Sequence, residues 1–248
     1  VFLHEQINVL DQWGRYLGTK LTVPVQFLQR GSYREIVELL LSGAAESAWL
    51  CGYPLIQYPE RIEALAVPVY NGAPLYRSHL IVSTRDATTA HPADLNNAVF
   101  AYSDPLSNSG YLVPRMAMIQ RGRHPDRLFR RTFFTYGHRR VIDAVRTGLA
   151  SAGAVDGYVW DTVAMQNPAA VSGLRVAWRS ETFGFPPIVV ARHVTGEVRR
   201  SLQSTLVGMH QDPVGRAVLK ALNLDRFETP VAGLFDSIAK LAHSHSRL

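Results

Sequence analysis

Apolar residues at Ile7, Leu10, Trp13 and Leu17 recur at helical spacing and predict an amphipathic first helix. The apolar run from Leu21 to Leu28, interrupted by one proline, reads as a strand. In Gly31-Ser32-Tyr33-Arg34-Glu35 the serine and glutamate stand at capping-box spacing and open a second helix over Ile36 to Leu41. Ser47 to Cys51 is the next short strand. Further strands are expected at Ala64 to Tyr70, His79 to Ser83, Ala98 to Tyr102 and Thr132 to Thr135, then at Ala152 to Tyr158, Leu174 to Trp178 and Ile188 to Ala191. Helical segments separate many of them, which predicts an α/β architecture with largely parallel sheets and ligands gathered at strand ends. From Thr195 to Ala242 the pattern is mostly helical.

Two stretches read as crossings between lobes: the extended segment around Ser83 to Asp86, and Glu181 to Pro187 with its paired prolines. On this reading residues 1–83 and 184–248 form one discontinuous lobe and residues 84–183 the other, an arrangement suited to hinge closure on a ligand.

Composition narrows the picture by exclusion. With 47% apolar and 19% charged residues in 248, the chain can bury a sizeable core and carries no low-complexity tract. A net charge of +6 invites a nucleic-acid reading, but the arginines are scattered, and the densest run, Arg121 to Arg140, reads as a solvated basic face. The longest apolar stretches, such as Leu149 to Val155, are too short to span a bilayer. No leader segment is recognisable, so an exported protein is expected here in its processed form. Cys51, the one cysteine, leaves no internal disulfide and no thiolate cluster for a metal.

The candidate chemistry lies where the strand Ala98 to Tyr102 runs into Ser103-Asp104-Pro105-Leu106-Ser107-Asn108-Ser109-Gly110-Tyr111, ahead of a helical pattern at Leu112, Met116 and Ile119. A helix start presents unpaired N–H groups and the positive end of a dipole, so it can hold a small anion without a full countercharge. Ser107, Asn108 and Ser109 add side-chain donors, and Gly110 allows close backbone approach. Alone, this pattern is equally that of an ordinary helix cap. A second turn of the same kind, Tyr136-Gly137-His138-Arg139-Arg140, leads into Val141, Val145 and Leu149. His138 at its start can donate to an anion from an imidazole nitrogen, or serve as a capping or core residue.

The order Ser32-Tyr33, Ala48-Trp49, Tyr76 before a strand, Asp104-Pro105-Leu106-Ser107-Asn108-Ser109-Gly110-Tyr111-Leu112-Val113-Pro114, Gly137-His138 and Val155-Asp156 resembles the periplasmic phosphonate-binding protein family over nearly the whole chain. The most specific piece is the Asp-Pro-x-Ser-x-Ser-Gly-x-x-x-Pro block. The resemblance implies a type II periplasmic-binding fold, two α/β lobes joined by two hinge segments with the ligand cleft between them. It implies a periplasmic, monomeric, non-catalytic protein that needs no cofactor or metal. Such a protein delivers phosphonate, phosphite or a similar small oxyanion to a membrane ABC transporter permease or a sensor histidine kinase. Carried over residue by residue, the ligand contacts are Tyr33, Tyr76, Ser107, Asn108, Ser109 and His138. Asn108 stands where many relatives have threonine. Phe183-Gly184-Phe185-Pro186-Pro187 lacks the carboxylate by which aminophosphonate binders hold an amine. Cys51, at the end of a strand aimed at the cleft, is either a small buried hydrophobe or a soft thiol ligand of the kind an arsenite-sensing branch would use.

Rival classes lack their motifs. Ser109 has no Gly-x-Ser-x-Gly elbow, so a phosphoester or phosphonate hydrolase is the remoter alternative. His4-Glu5-Gln6-Ile7-Asn8 starts like a zinc-protease helix but ends in asparagine, and His243 and His245 read as frayed-tail residues.

Overall fold

Ser32 opens the second helix as its spacing requires, with Oγ accepting from the Glu35 N–H at 3.3 Å and donating to the Glu35 carboxylate at 2.9 Å. The computed structural model describes residues 7–247, so His4, Glu5 and Gln6 lie outside the described residues. Along the chain come α1 (Ile7–Leu21), α2 (Tyr33–Ser42), β1 (Ser47–Trp49), α3 (Gly52–Gln57), β2 (Ile62–Val69), β3 (Leu75–Ser83) and β4 (Val99–Tyr102). A π turn (Asn108–Leu112) then runs into α4 (Val113–Gln120), followed by α5 (Pro125–Leu128), β5 (Arg131–Phe134), α6 (His138–Arg146), β6 (Ala152–Asp156) and α7 (Gly157–Gln166). The last third holds β7 (Leu174–Gly184), β8 (Ile188–Ala191), α8 (Gly196–Val207), α9 (Pro213–Ala221), β9 (Arg226–Glu228) and α10 (Asp236–His245).

The chain divides into two compact units, one of residues 7–75 and 184–235 and one of residues 76–183 and 236–247. The first unit is built on a four-stranded sheet of order β1-β8-β2-β9 whose pairings are all antiparallel. Trp13 of α1 is buried in its core against Phe27, Trp49 and Phe227. The second unit is built on a five-stranded sheet of order β5-β4-β6-β3-β7, in which β5, β4 and β6 are parallel and β3 runs against β6. Leu80, Val82, Phe100, Tyr102, Ala152 and Ala154 form one buried cluster on this sheet.

Several expectations need correction. Residues 21–28 form no strand: α1 continues to Leu21, Thr22 turns the chain with φ 56°, and the extended segment packs on α1. Its backbone lies so close that a Cβ at Gly18 would sit 3.1 Å from the Val23 carbonyl oxygen, and Pro24 has no N–H to give a sheet. The sheets are not largely parallel, because β8 joins the first sheet only after the chain has passed through the second unit, free of the one-handed crossover that a βαβ unit imposes.

The first boundary falls at residues 75/76 rather than at Ser83, since β3 pairs with β6 from Ser78 to Val82. The stretch expected to be a hinge is instead a fixed turn, in which the Asp86 carboxylate accepts from the Thr88 and Thr89 N–H groups at 3.0 and 2.9 Å. The next boundary falls at residues 183/184, at the end of β7. The C-terminal segment does not stay with the first unit, because α10 packs on the π turn and α4. His243 and His245 are therefore no frayed tail: both lie in α10, and the His245 ring meets Tyr111 edge-on at 5.9 Å.

One glycine sets how α6 sits on the second sheet. A Cβ at Gly153 of β6 would fall 2.4 Å from Val141 Cγ1 and 3.1 Å from the Ala101 carbonyl oxygen. Gly153→Ala is expected to lower stability by about 1–3 kcal/mol in urea denaturation through overpacking, and an unchanged midpoint would contradict this packing.

Candidate functional site

Because β5, β4 and β6 run in parallel, their carboxyl ends share one edge of the sheet, and the segments that follow them emerge side by side. β3 runs the other way with Ser78 opposite Asp156, which brings Tyr76, near the start of β3, to the same edge. Tyr76, Ser107, Asn108, Ser109 and His138 thus meet within one unit. Tyr33, the first residue of α2, and Cys51, buried and extended just before α3, belong to the other unit.

The turn after β4 is knit by its own polar groups. Leu106 N–H donates to Asp104 Oδ1 at 2.8 Å, Ser107 N–H to the Asp104 carbonyl at 2.9 Å, and Gly110 N–H to Ser107 Oγ at 3.0 Å. The helix then starts wide, with Leu112 N–H reaching the Ser107 carbonyl at 3.0 Å, before tightening into α4. From β3, Ser78 Oγ donates to the Ser109 carbonyl at 2.6 Å. Asn108 Nδ2 donates to the Tyr76 hydroxyl at 3.0 Å. Ser107, Asn108 and Ser109 are at most 1% exposed, and the Ser109 hydroxyl makes no hydrogen bond among the described residues.

His138 is the first residue of α6 and is buried. Its Nδ1 accepts the Asp156 N–H at 3.1 Å, so the neutral ring carries its proton on Nε2 and is a donor there. Burial pulls its pKa down to about 3, which keeps the ring uncharged at any physiological pH. Asp156, also buried, caps α7 by accepting from Tyr158 and Val159 N–H at 2.9 and 3.3 Å. Burial nevertheless pushes its carboxyl up to about 7. Three helix starts therefore face one sheet edge, those of the π turn, α6 and α7, and only the last is covered by a carboxylate. The side-chain donors gathered at this edge are neutral: hydroxyls, an amide and an imidazole N–H. Such a set can replace the water around a small anion without neutralising it.

Other features do not assemble chemistry. Among the described residues no three His, Cys, Asp or Glu side chains are grouped to hold a metal ion. Nor is any described helix long and apolar enough to cross a membrane. A surface pocket of about 580 Å³ lies at the opposite ends of β4 and β5, lined by Val99, Arg130, Arg131, Phe133 and Leu149. Six arginines of the run from Arg121 to Arg140 are exposed, in the turn after α4, on α5, at this pocket and on α6.

Sequence reasoning left Asp156, Ser78 and Ser103 out of the site. The signal for Asp156 was present in Val155-Asp156-Gly157, an apolar strand ending in a helix-capping carboxylate. Nothing in sequence spacing aligns Ser78 with residues 103–109.

Two α/β units, with neutral donors gathered at the carboxyl edge of parallel strands, define the class of small-solute binding proteins. The family model described as "ABC transporter, phosphonate, periplasmic substrate-binding protein" matches residues 4–232. The phosphonates-binding periplasmic protein of Escherichia coli K12 is 25% identical over 227 residues, covering 88% of this chain and 67% of that protein. A binding-protein component of a phosphonate ABC transporter from Pseudomonas aeruginosa superposes with a TM-score of 0.88 at 20% identity, covering 97% of this chain and 82% of that one. A Prochlorococcus marinus protein solved with methylphosphonate superposes with a TM-score of 0.85 at 19% identity, covering 100% and 97%. The chain belongs to the family of periplasmic substrate-binding proteins of phosphonate ABC transporters, and its fold is the two-lobed fold of periplasmic binding proteins.

The Asp156 carboxyl carries a pH signature. A group whose folded-state pKa is raised stabilises most below its unfolded value of 3.8, and that contribution is lost as pH rises toward about 7. Asp156→Asn retains the cap and cannot ionise. Its stability relative to wild type is expected to rise by about 1–3 kcal/mol between pH 5 and pH 8 in chemical denaturation. A difference that does not change with pH would contradict the raised carboxyl.

Proposed function

We propose that this chain is a non-catalytic periplasmic solute-binding protein that captures a small phosphorus oxyanion, a phosphonate or phosphite, and presents it to the permease of an ABC transporter. The observation that carries the reading is the buried Ser109 hydroxyl, which has no partner among the described residues. It stands at the head of the helix that continues into α4, on the same sheet edge as a histidine fixed as a neutral donor. Family membership and the relatives named for phosphonate support the choice of ligand.

The energetics are sufficient without a metal or a covalent step. Five or six anion contacts at about 1.5–3 kcal/mol each give a gross gain of about 8–18 kcal/mol before ordering costs, and micromolar capture needs about 8 kcal/mol. Neutral donors also suit release to a membrane partner, since no ion pair has to be broken.

A second reading, arsenite capture through Cys51 with signalling to a histidine kinase, rests on one buried thiol that precedes α3. Calorimetry with methylphosphonate, phosphite, phosphate, arsenate and arsenite on wild type and Cys51→Ser separates the two. Micromolar binding of methylphosphonate or phosphite is expected, unchanged in Cys51→Ser and weakened by about 1–3 kcal/mol in Ser109→Ala and His138→Ala. No phosphorus ligand binding, or arsenite binding abolished in Cys51→Ser, would overturn the phosphonate reading.

A further inference from the structure

Ser103, the first residue after β4, is 1% exposed, and its hydroxyl makes no hydrogen bond among the described residues. Its backbone N–H donates to the Gly110 carbonyl at 3.2 Å, so residues 103 and 110 lie side by side across the turn. A Cβ at Gly110 would fall 1.9 Å from Ser103 Oγ and 3.1 Å from Ser107 Oγ. Both hydroxyls therefore crowd the place where a side chain at residue 110 would begin. Gly110 is required there for a reason the sequence does not give: the Ser103 side chain occupies the place of its missing methyl group.

Two buried hydroxyls without partners, Ser103 and Ser109, thus stand on one turn. Burying a hydroxyl unpaired is unfavourable, and alanine would fit either place without that cost. Ser78, by contrast, is satisfied by the Ser109 carbonyl, and Ser107 accepts the Gly110 N–H. An unsatisfied pair is accounted for when its acceptor arrives as one guest with several oxygens. Resting on the oxyanion reading above, we infer that Ser103 is a further hydroxyl of the binding turn, supplying the ligand with a donor from behind Gly110. Ser103 is thereby a determinant of oxyanion affinity alongside Ser107, Asn108 and Ser109. The turn trades stability of the ligand-free protein for that affinity.

The consequence is a pair of effects with opposite signs. Ser103→Ala is expected to bind methylphosphonate about tenfold more weakly in calorimetry, a loss typical of one hydrogen bond to a charged group. Its ligand-free melting temperature should equal or exceed that of wild type. A merely structural serine, bonded to Ser107 in solution, would instead lower the melting temperature. Wild-type affinity in Ser103→Ala, or weakened affinity accompanied by a lower melting temperature, overturns the inference. Ser103→Cys keeps the volume with a far weaker donor and is read by the same criteria should the alanine variant not fold. Ser109→Ala serves as the reference: a loss there with none at Ser103 removes this inference and leaves the binding turn intact. If wild type binds neither methylphosphonate, phosphite nor phosphate, the oxyanion reading itself has failed.

Discussion

The backbone N–H of Asp156 donates to Nδ1 of His138, and much of the site follows from that bond. It ties the end of β6 to the first turn of α6, two elements already held close by Gly153. It also decides the chemistry of the ring. With Nδ1 committed as an acceptor, protonation would set one N–H against another, so burial and geometry both favour the neutral form. A neutral imidazole in this setting carries its proton on Nε2. The residue is thereby a fixed donor instead of a titrating cation.

The same economy runs through the rest of the edge. Ser107 spends its oxygen on the Gly110 amide, Ser78 fixes the Ser109 carbonyl, and Asn108 engages Tyr76. Each bond holds its group in place, and a site ordered in advance loses less entropy on binding. Asp156 covers the start of α7 with a carboxylate, leaving the starts of the π turn and α6 as the electropositive pair. An anion held by dipoles and hydroxyls is recognised by the placement of its oxygens more than by its total charge. That suits a tetrahedral oxyanion.

Local chemistry was the legible part of the sequence. Ser32 and Glu35 announced α2, β8 occupies the expected Ile188–Ala191, and the helix start at Asn108 and the His138 turn were both visible as patterns. What the sequence concealed was set by distant partners. The apolar segment after Leu21 looked like a strand, yet it packs on α1, because strand formation needs a neighbour that no local pattern specifies. β9 is three residues long and falls below any periodicity signal. The direction of β8, the pairing that draws β3 into the second unit and the return of α10 all depend on long-range topology. At the site, residue types were readable, but the tautomer of His138, the burial of Asp156 and the place of Ser103 over Gly110 required the register of β3, β4 and β6.

The central claim, that a neutral His138 held by Asp156 donates from Nε2 to the guest, is tested most directly by nitrogen-15 NMR of the imidazole during titration with methylphosphonate. The account predicts an unprotonated Nδ1 with and without ligand at pH 7, together with an Nε2–H proton that moves downfield in step with saturation. An imidazolium signature in the complex, or a His138 ring whose resonances do not respond to a ligand that binds, would contradict it.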